Sequence, residues 1–276
     1  MPPSASLPGP LLLIGCGKMG GALLSGWLSG GVTAGDVWIV EPNPATATFF
    51  RDIGVNSVGD AGALPTDLKP RVTLLAVKPQ FMDEAIAPLV GAPRDLGLLL
   101  SIAAGKTIAY YQRLFGTGRP IVRAMPNTPA SVGRGMTVMV ATPEVSADDR
   151  ELCSRLMSAV GDTAWVEDEG LIDPVTAVSG GGPAYVFLLV EALAEAGRAA
   201  GLPADLALRI ARSTVAGSGE LLRQSQEPAA QLRENVTSPG GTTLEALKVL
   251  MAEDGLQPLM TRAIAAATRR SRELDT

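Results

Sequence analysis

The chain has 276 residues, of which 46% are hydrophobic and 18% charged, a composition typical of a soluble α/β protein with one or two cores. Its formal net charge of -5 and the lack of a basic tract give no reason to expect a nucleic acid, and no continuous apolar run has membrane-spanning length. The first ten residues lack a signal-peptide pattern, and Cys16 and Cys153 have neither disulfide nor metal-site spacing, so a cytoplasmic protein without a metal is predicted.

Residues 7 to 41 predict a β-α-β unit, in which "LLLIG" and "DVWIVE" are the strands. Between them, Gly15, Gly17 and Gly20 have the G-x-G-x-x-G spacing, directly after a strand and at the start of a helix. Such glycines allow a tight turn and let the backbone approach a pyrophosphate at the positive end of the helix. The loop, with Lys18 and Met19, is therefore predicted to bind a dinucleotide; a tight turn without a ligand is the alternative.

Further strands, "RVTLLAVKPQ", "LGLLLSIAAG", "RPIVRAMPN" and "GMTVMVAT", alternate with helical segments. This alternation predicts a doubly wound parallel sheet of the Rossmann type. Ligands of such sheets lie beyond the carboxyl ends of the strands, so the loops that follow the strands should line the cofactor site. For any single loop, ordinary turn chemistry is the alternative. The candidate cofactor residues in these loops are Ala76, Val77, Lys78, Pro79, Ala103, Ala104, Gly105 and Asn127.

The choice of cofactor depends on the end of the second strand, "WIVEPNPA". Glu41 lies 21 residues after Gly20, where a carboxylate can bond the ribose hydroxyls of NAD and would repel the 2′-phosphate of NADP. Asn43 is a second candidate for cofactor contact, whereas Pro42 offers no cation; Arg51 could reach this place from the next helix. We therefore expect NADH or the use of both cofactors, unless Glu41 is only a solvated strand end.

The second half of the chain predicts helices alone. "PAYVFLLVEALAEAGRAAG" has Pro183 at a first-turn position and stops at Gly201, and its apolar circumference predicts burial, either within the domain or between subunits. Three more helices are predicted in "PADLALRIARSTVAGSGELLRQ", "TLEALKVLMAEDG" and "QPLMTRAIAAATRRSREL". We expect a dinucleotide-binding domain over residues 1–166 and an all-α domain over 167–276.

One short stretch of the helical half, "TSPGGTTLEAL", predicts an anion site. Gly240 and Gly241 remove side chains that would block an anion, and the N–H groups of Gly241, Thr242 and Thr243 are expected to be free at the positive end of a helix. Ser238 and Thr243 add hydroxyl donors. The alternative is a plain helix cap followed by a turn.

The chain as a whole resembles pyrroline-5-carboxylate reductase. The motifs "GCGKMGGAL", "AVKPQ", "SIAAG", "MPNTPASVGRGM", "AVSGGGPAYVFLLVEALAEAG" and "NVTSPGGTTLEAL" have the order and spacing of that family. The resemblance implies reduction of 1-pyrroline-5-carboxylate to L-proline by NAD(P)H, the final step of proline biosynthesis. It also implies an all-α dimerisation domain, homodimers that can assemble into decamers, and a substrate carboxylate held at Ser238, Gly240, Gly241, Thr242 and Thr243.

The resemblance places the hydroxyl of Thr243 near the ring nitrogen of the substrate, and Lys78 is the other catalytic candidate, with a positioning or steering role. The chain contains no histidine, which excludes serine-histidine triads, histidine zinc sites and a histidine acid. A cyclic imine is basic enough to arrive protonated, so its reduction does not need a histidine.

Three positions depart from the family pattern: Pro42 replaces an arginine, Ala61 an asparagine and Gly181 a serine. The first two are associated with the 2′-phosphate of NADPH, so a strict NADPH preference is not expected. Two alternatives stay open, a 6-phosphogluconate or β-hydroxyacid dehydrogenase and a nucleotide-binding regulatory protein without turnover. The absence of lysine between Lys106 and Lys248 argues against the former, because those families resemble each other in having a catalytic lysine in the interdomain helix.

Overall fold

The structure, a computed structural model, describes residues 9–275. Most of the segment in which no signal peptide was predicted therefore lies outside the described residues. The chain forms two compact units: one reaches to Gly180 and takes up the chain again from Thr268, and the other is Gly181–Ala267. The predicted domain boundary after residue 166 stays a prediction, because a unit defined by contacts is not a test of which residues fold together.

The first unit is built on one eight-stranded sheet. Its strands are β1 (Leu11–Ile14), β2 (Val37–Val40), β3 (Asn56–Val58), β4 (Val72–Leu75), β5 (Leu98–Ser101), β6 (Ile121–Met125), β7 (Gly135–Ala141) and β8 (Gly161–Trp165). Their order is β3-β2-β1-β4-β5-β6-β7-β8, so the chain leaves β1 in one direction for β2 and in the other for β4. This is the predicted doubly wound arrangement, and its ligand crevice lies where the direction changes, at the carboxyl ends of β1 and β4.

Helices cover both faces of this sheet. They are α1 (Lys18–Ser29), α2 (Pro44–Asp52), α3 (Met82–Ile86), α4 (Ile108–Phe115), α5 (Ala147–Ser158) and α6 (Ile172–Val175). Side chains alternate along a strand, so Leu11 and Leu13 enter one buried cluster and Leu12 and Ile14 the other. A strand that is buried on both faces reads as an uninterrupted apolar run, which is what "LLLI" shows.

One strand pair departs from the predicted parallel sheet. β7 runs antiparallel to β6, although β8 is again parallel to β7. Residues 126–134, which join β6 to β7, contain only the 3₁₀ turn Thr128–Val132. A parallel crossover needs a dozen or more residues, usually with a helix, so this connection permits only an antiparallel return. The prediction of a parallel strand at "GMTVMVAT" was therefore wrong.

The second unit is helical, as predicted. It contains α7 (Gly182–Ala199), α8 (Ala204–Gln224), α9 (Ala229–Asn235) and α10 (Thr242–Leu250), and α11 (Leu256–Leu274) begins in it. Helices α7 and α8 pack closely, since a Cβ on Gly197 would lie 3.4 Å from the Cβ of Ala207. The short α9 was not predicted.

The second unit leaves most of its apolar side chains exposed. Among residues 181–267, only Ala207 and Ala211 are buried hydrophobic residues, whereas Phe187 is 63% exposed. The predicted burial of α7 is therefore not met within one chain. By length and composition, the helical stretch Glu169–Ala199 could cross a membrane. These two properties are weak evidence for a membrane span, because a helix face that packs against a second subunit is apolar as well.

Candidate active site

Three glycines shape the loop between β1 and α1. Gly15 has a φ of +89°, and a Cβ there would lie 3.0 Å from the carbonyl oxygen of Ala76 at the end of β4. A Cβ on Gly20 would lie 2.3 Å from the carbonyl oxygen of Gly15, so α1 can approach the loop this closely only without a side chain. Around Gly17, in contrast, a Cβ would meet nothing within 4 Å. The loop is tightly packed on its inner side and open at Gly17.

The open side of the loop is the start of α1. Gly17 is the N-cap residue and provides no side-chain cap, so the first N–H groups of α1 gain no partner from it. Lys18 is exposed, whereas Met19 packs against the core cluster on this face of the sheet. The positive end of α1 and its orphan N–H groups are of the kind that can accept a phosphate group, and the binding of a dinucleotide here stays a prediction.

Glu41 has a role that the sequence did not reveal. Its carboxylate is 8% exposed and accepts a hydrogen bond of 2.8 Å from the backbone N–H of Cys16 and another of 2.8 Å from that of Asn43. Glu41 thus joins the glycine-rich loop to the start of α2, and it is not a solvated strand end. Burial, and next the charge of Glu41, raise the pKa of the Cys16 thiol to about 12, so this cysteine stays protonated at neutral pH.

Asn43 is engaged in the local structure of α2. Its side-chain oxygen accepts hydrogen bonds from the N–H groups of Ala45 and Thr46, at 3.0 and 3.4 Å. It is therefore the N-cap of α2, followed by Pro44 at the first helical position. Any contact of its amide with a ligand would compete with this cap.

A cavity of about 360 Å³ opens at the carboxyl ends of β1 to β4. Two of the predicted cofactor residues, Gly15 and Val77, line it together with Pro42 and Ala61. The complete lining is Ile14, Gly15, Val40, Pro42, Gly59, Asp60, Ala61, Val77, Phe81, Glu84 and Ala85. This set contains two acidic residues and no basic one. Phe81 and Glu84 were not among the candidates, because they follow the "AVKP" loop and nothing in their local pattern points to a ligand.

The loop after β4 continues from Ala76 to Pro79. The Ala76 N–H donates to the carbonyl oxygen of Ile14 at 2.8 Å, which holds the ends of β4 and β1 together. Lys78 is exposed and precedes the 3₁₀ turn Pro79–Phe81, to which its side chain contributes no cap. The steering role of its ammonium group stays a prediction.

The loop after β5 is held by a buried pair of hydroxyl groups. Ser101, the last residue of β5, lies 2.6 Å from the hydroxyl of Tyr111 and accepts a hydrogen bond of 3.2 Å from the N–H of Ala103. Burial raises the pKa of Tyr111 to about 12, so it stays a neutral phenol. Ala103 is buried, Ala104 is exposed, and Gly105 has a φ of +70°. Ala104 is thus the side chain of this loop that faces solvent.

Asn127 organises the connection between β6 and β7. Its amide nitrogen donates to the Ser179 carbonyl and hydroxyl oxygens at 3.3 and 3.2 Å, and its oxygen accepts from the Met136 N–H at 2.9 Å. Ser179 belongs to a π-helix, Thr176–Gly180, which ends the first unit's part of "AVSGGG". Such π-helical turns are rare and are often found at functional sites.

In the second unit, the stretch "TSPGGTT" forms a turn and the start of α10. Gly240 has a φ of +68°, with nothing within 4 Å of a Cβ placed there, and Gly241 is the N-cap without a side-chain cap. The Gly241 N–H donates to the Ser238 carbonyl oxygen at 3.0 Å, so the expectation that it is free was wrong. Within residues 9–275, no hydrogen bond is formed by the hydroxyls of Ser238, Thr242 and Thr243, all of which are exposed. The donors left at this helix start are therefore these hydroxyls and the N–H groups of Thr242 and Thr243.

Comparison with known families matches both halves of the chain. Residues 169–274 match the model of the pyrroline-5-carboxylate reductase dimerisation domain. Residues 11–105 match the model described as NADP oxidoreductase, coenzyme F420-dependent. The first match covers α6 to α11, and the second covers the sheet from β1 to β5 with the glycine-rich loop.

Individual proteins are similar over nearly the full length. The pyrroline-5-carboxylate reductase of Pseudomonas aeruginosa is 38% identical over 96% of both chains. The structure of a pyrroline-5-carboxylate reductase from Coxiella burnetii has 34% identity and a TM-score of 0.88, and covers 98% of this chain and 100% of that one. The Plasmodium falciparum pyrroline carboxylate reductase, solved with NADP bound, has 27% identity and a TM-score of 0.79 over 99% and 100% of the two chains.

Proposed function

The chain belongs to the pyrroline-5-carboxylate reductase family, and on this premise we propose that its two glycine-rich helix starts hold the two reactants of that enzyme. The chain is an oxidoreductase that reduces the C=N bond of 1-pyrroline-5-carboxylate to give proline, with NAD(P)H as the reductant. The dehydrogenase and regulatory alternatives are not favoured. The observation that carries the assignment of sites is that α1 in the first unit and α10 in the second each begin at a glycine N-cap, Gly17 or Gly241, without a side-chain cap. Helix α7 begins in the same way at Gly181, but Pro183 in its first turn has no N–H to donate to an anion.

The residues of the first site fit a dinucleotide. The inner side of the glycine loop admits no further atom at Gly20, and its outer side is open at Gly17, as a pyrophosphate at the start of α1 requires. The neighbouring cavity, with Pro42, Val77 and Phe81 in its lining, suits an adenine ring and its ribose. The predicted loop residues Ala76 to Pro79, Ala103 to Gly105 and Asn127 are proposed to continue the site towards the nicotinamide.

The residues of the second site fit a small carboxylate. The N–H groups of Thr242 and Thr243 and the hydroxyl of Ser238 are donors at the positive end of α10, and the open space at Gly240 leaves room for an anion beside Gly241. Glu245 lies in the first turn of α10, where its charge would oppose an anion, but it forms an ion pair of 2.7 Å with Lys248. The pair lowers that opposition, so the helix start keeps its attraction for a carboxylate.

When bound, the cofactor supplies a hydride for the imine carbon. The protein's part is then to hold the carboxylate at α10 and so fix the position of the ring. The imine nitrogen loses its positive charge during the reduction, and we propose that the Thr243 hydroxyl hydrogen-bonds this nitrogen. No imidazole is needed, since the proton that ends on nitrogen can enter with the substrate. Lys78, exposed at the end of β4, is proposed to steer the anionic reactants.

The cofactor preference is proposed to lie with NADH. A 2′-phosphate beside the ribose would lie near the carboxylates of Asp60 and Glu84, and no basic residue lines the cavity to compensate. The Plasmodium falciparum neighbour was solved with NADP, so the family's fold can hold the phosphate. In this chain, Pro42 occupies the cavity wall where a cation would be useful. Glu41 influences the preference through its charge, although its own hydrogen bonds are accepted from the N–H groups of Cys16 and Asn43.

The experiment that tests these proposals is the oxidation of NADH and of NADPH by the purified protein in the presence and absence of pyrroline-5-carboxylate. We expect turnover with both cofactors and a higher kcat/KM with NADH. A folded protein that oxidises neither cofactor would contradict the assigned function. Equal or better use of NADPH would contradict the preference and leave the reaction intact.

The chain self-associates through its helical region, which is the part matched by the dimerisation domain. The exposed apolar side chains of α7, among them Phe187, Leu188 and Leu189, are proposed to lie in the contact between subunits. A cytoplasmic location is proposed as well, in keeping with a biosynthetic enzyme whose two cysteines are unpaired. Fractionation of cells that express the protein would test that location.

A further inference from the structure

The last residues of the chain return to the first unit and lie against the loop that follows β5. This loop, residues 102–107, contains the proposed cofactor residues Ala103, Ala104 and Gly105. The backbone carbonyl oxygen of Leu274 lies 2.8 Å from the position of a Cβ on Gly105. The C-terminal backbone therefore occupies the space into which a side chain of the loop would otherwise project.

A buried guanidinium fixes this arrangement. Arg123 on β6 is paired in register with Ser101, the last residue before the loop, and its side chain is 3% exposed. It donates to Asp275 at 2.9 Å and to Glu169 at 2.8 Å. Burial lowers the pKa of Arg123, but its bonds with Glu169 and Asp275 raise it above its usual range, so the guanidinium is charged. These bonds thus connect Asp275, just after α11, to Arg123 in the sheet.

Glu169 connects Arg123 to the far end of the loop. The carboxylate oxygen that accepts from Arg123 also accepts a hydrogen bond of 2.8 Å from the N–H of Ile108, the first residue of α4. At the near end, Ser101 accepts from the N–H of Ala103. The loop is therefore held at its two ends by Ser101 and Glu169, and the Leu274 carbonyl lies against its middle at Gly105.

We propose that Arg123, Glu169, Leu274 and Asp275, here called the C-terminal clamp, position the loop after β5 for cofactor binding. A buried ion cluster is seldom a better source of stability than apolar side chains of the same size, and specifying one geometry is a role that such clusters can have. The geometry specified here is that of Gly105 and its neighbours. The members of the clamp are positioning residues, since they act through the loop. The inference rests on the proposed role of that loop in holding the cofactor.

The test compares two substitutions of Asp275 with one matched control. Asp275→Asn keeps the shape of the side chain and removes the negative charge that pairs with Arg123, whereas Asp275→Glu keeps that negative charge. The control is Glu273→Gln, two residues earlier in the last turn of α11, which removes an ion pair between Arg270 and Glu273 whose side chains are 67% and 61% exposed. Fluorescence titration gives the Kd for NADH of the full-length protein, and hydrogen exchange reports on residues 102–108.

We expect Asp275→Asn to raise the Kd and the KM for NADH about fivefold, to speed exchange in the loop, and to change the KM for the imine little. Asp275→Glu should restore most of the affinity, and Glu273→Gln should stay within about twofold of the wild type. If Asp275→Asn leaves NADH binding and hydrogen exchange in the loop unchanged, even while it lowers the Tm, the proposed role of the clamp is overturned and the proposed cofactor site is not. Failure of the wild-type protein to bind NADH would instead overturn the proposed cofactor site and the clamp with it.

Discussion

Two neighbouring glycines in α1 give opposite predictions for the same substitution. A Cβ on Gly20 would lie 2.3 Å from the Gly15 carbonyl oxygen, whereas one on Gly21 would lie 3.5 Å from that of Cys16, an ordinary contact. Gly15 cannot retreat, because its N–H donates to Val40 at 2.9 Å and the end of β4 lies behind it. Gly20→Ala must therefore move α1 away from the loop, and Gly21→Ala need move nothing.

The magnitudes follow from this difference in space. In Gly21→Ala the helix gains about 0.5–1 kcal/mol, because alanine restricts the unfolded chain more than glycine does. Gly20→Ala gains the same amount, but an overlap of this size with the backbone costs roughly 1–3 kcal/mol or more. The displaced start of α1 is the proposed pyrophosphate site, so we expect the Kd for NADH to rise roughly tenfold to a hundredfold.

The assay is NADH titration of both variants beside thermal unfolding. Gly21→Ala should bind NADH like the wild type and unfold at an equal or higher Tm, which makes it the control for a methyl group added to the same helix. Gly20→Ala should lose affinity even at temperatures where it is fully folded. If both variants bind NADH equally well, the close approach of α1 to the glycine loop does not shape the cofactor site.

Three other expectations concern single residues. Thr243→Ala should lower kcat/KM for the imine on the order of 10²-fold with the Kd for NADH unchanged, as measured by steady-state kinetics and titration; equal activity would remove the hydroxyl from the mechanism. Pro42→Arg should raise the kcat/KM ratio of NADPH to NADH about tenfold with Glu41 left in place, and an unchanged ratio would refute the proposed ribose pocket. Asp149→Asn should cost about 1–2 kcal/mol of stability at neutral pH. Burial raises the pKa of Asp149, but its bonds with Ser146 and Arg71 lower it below the ordinary value, so its contribution is complete above the unfolded pKa and is lost as pH falls through the folded one. Urea unfolding at several pH values should therefore show the difference between Asp149→Asn and the wild type shrinking in acid, and a constant difference would contradict this.

The sequence predicted those parts of the fold whose causes are local. The strand–glycine–helix order around Gly15 can be read directly, because each glycine meets a steric demand within its own turn. The strands β3 and β8 were missed, since "NSV" has only three residues and neither "NSV" nor "GDTAW" is fully buried or carries much apolar signal. The antiparallel return at β7 depends on the length of a connection, which the pattern of the strand itself does not encode.

Sequence patterns select candidate site residues, but they do not show the hydrogen bonds that those residues form. Glu41 was selected as an acidic group at a strand end, yet its partners, Cys16 and Asn43, become visible only when the loop is folded against it. The N–H of Gly241 was expected to be free and is used inside its own turn. Asp275 and Arg123 are 152 residues apart, and no local pattern could have connected them.

The exposed apolar helices of the second unit have a consequence for the assembly of the protein and for its resistance to degradation. A unit with only Ala207 and Ala211 as buried hydrophobic residues has too little core to be stable alone, so each new chain must meet another before this half of it is secure. Formation of the stable protein then follows second-order kinetics, and dilution lowers both the rate and the yield of this association. The apparent melting temperature should rise with protein concentration, and a cell that makes few copies would hold a larger share of them in a form open to proteases.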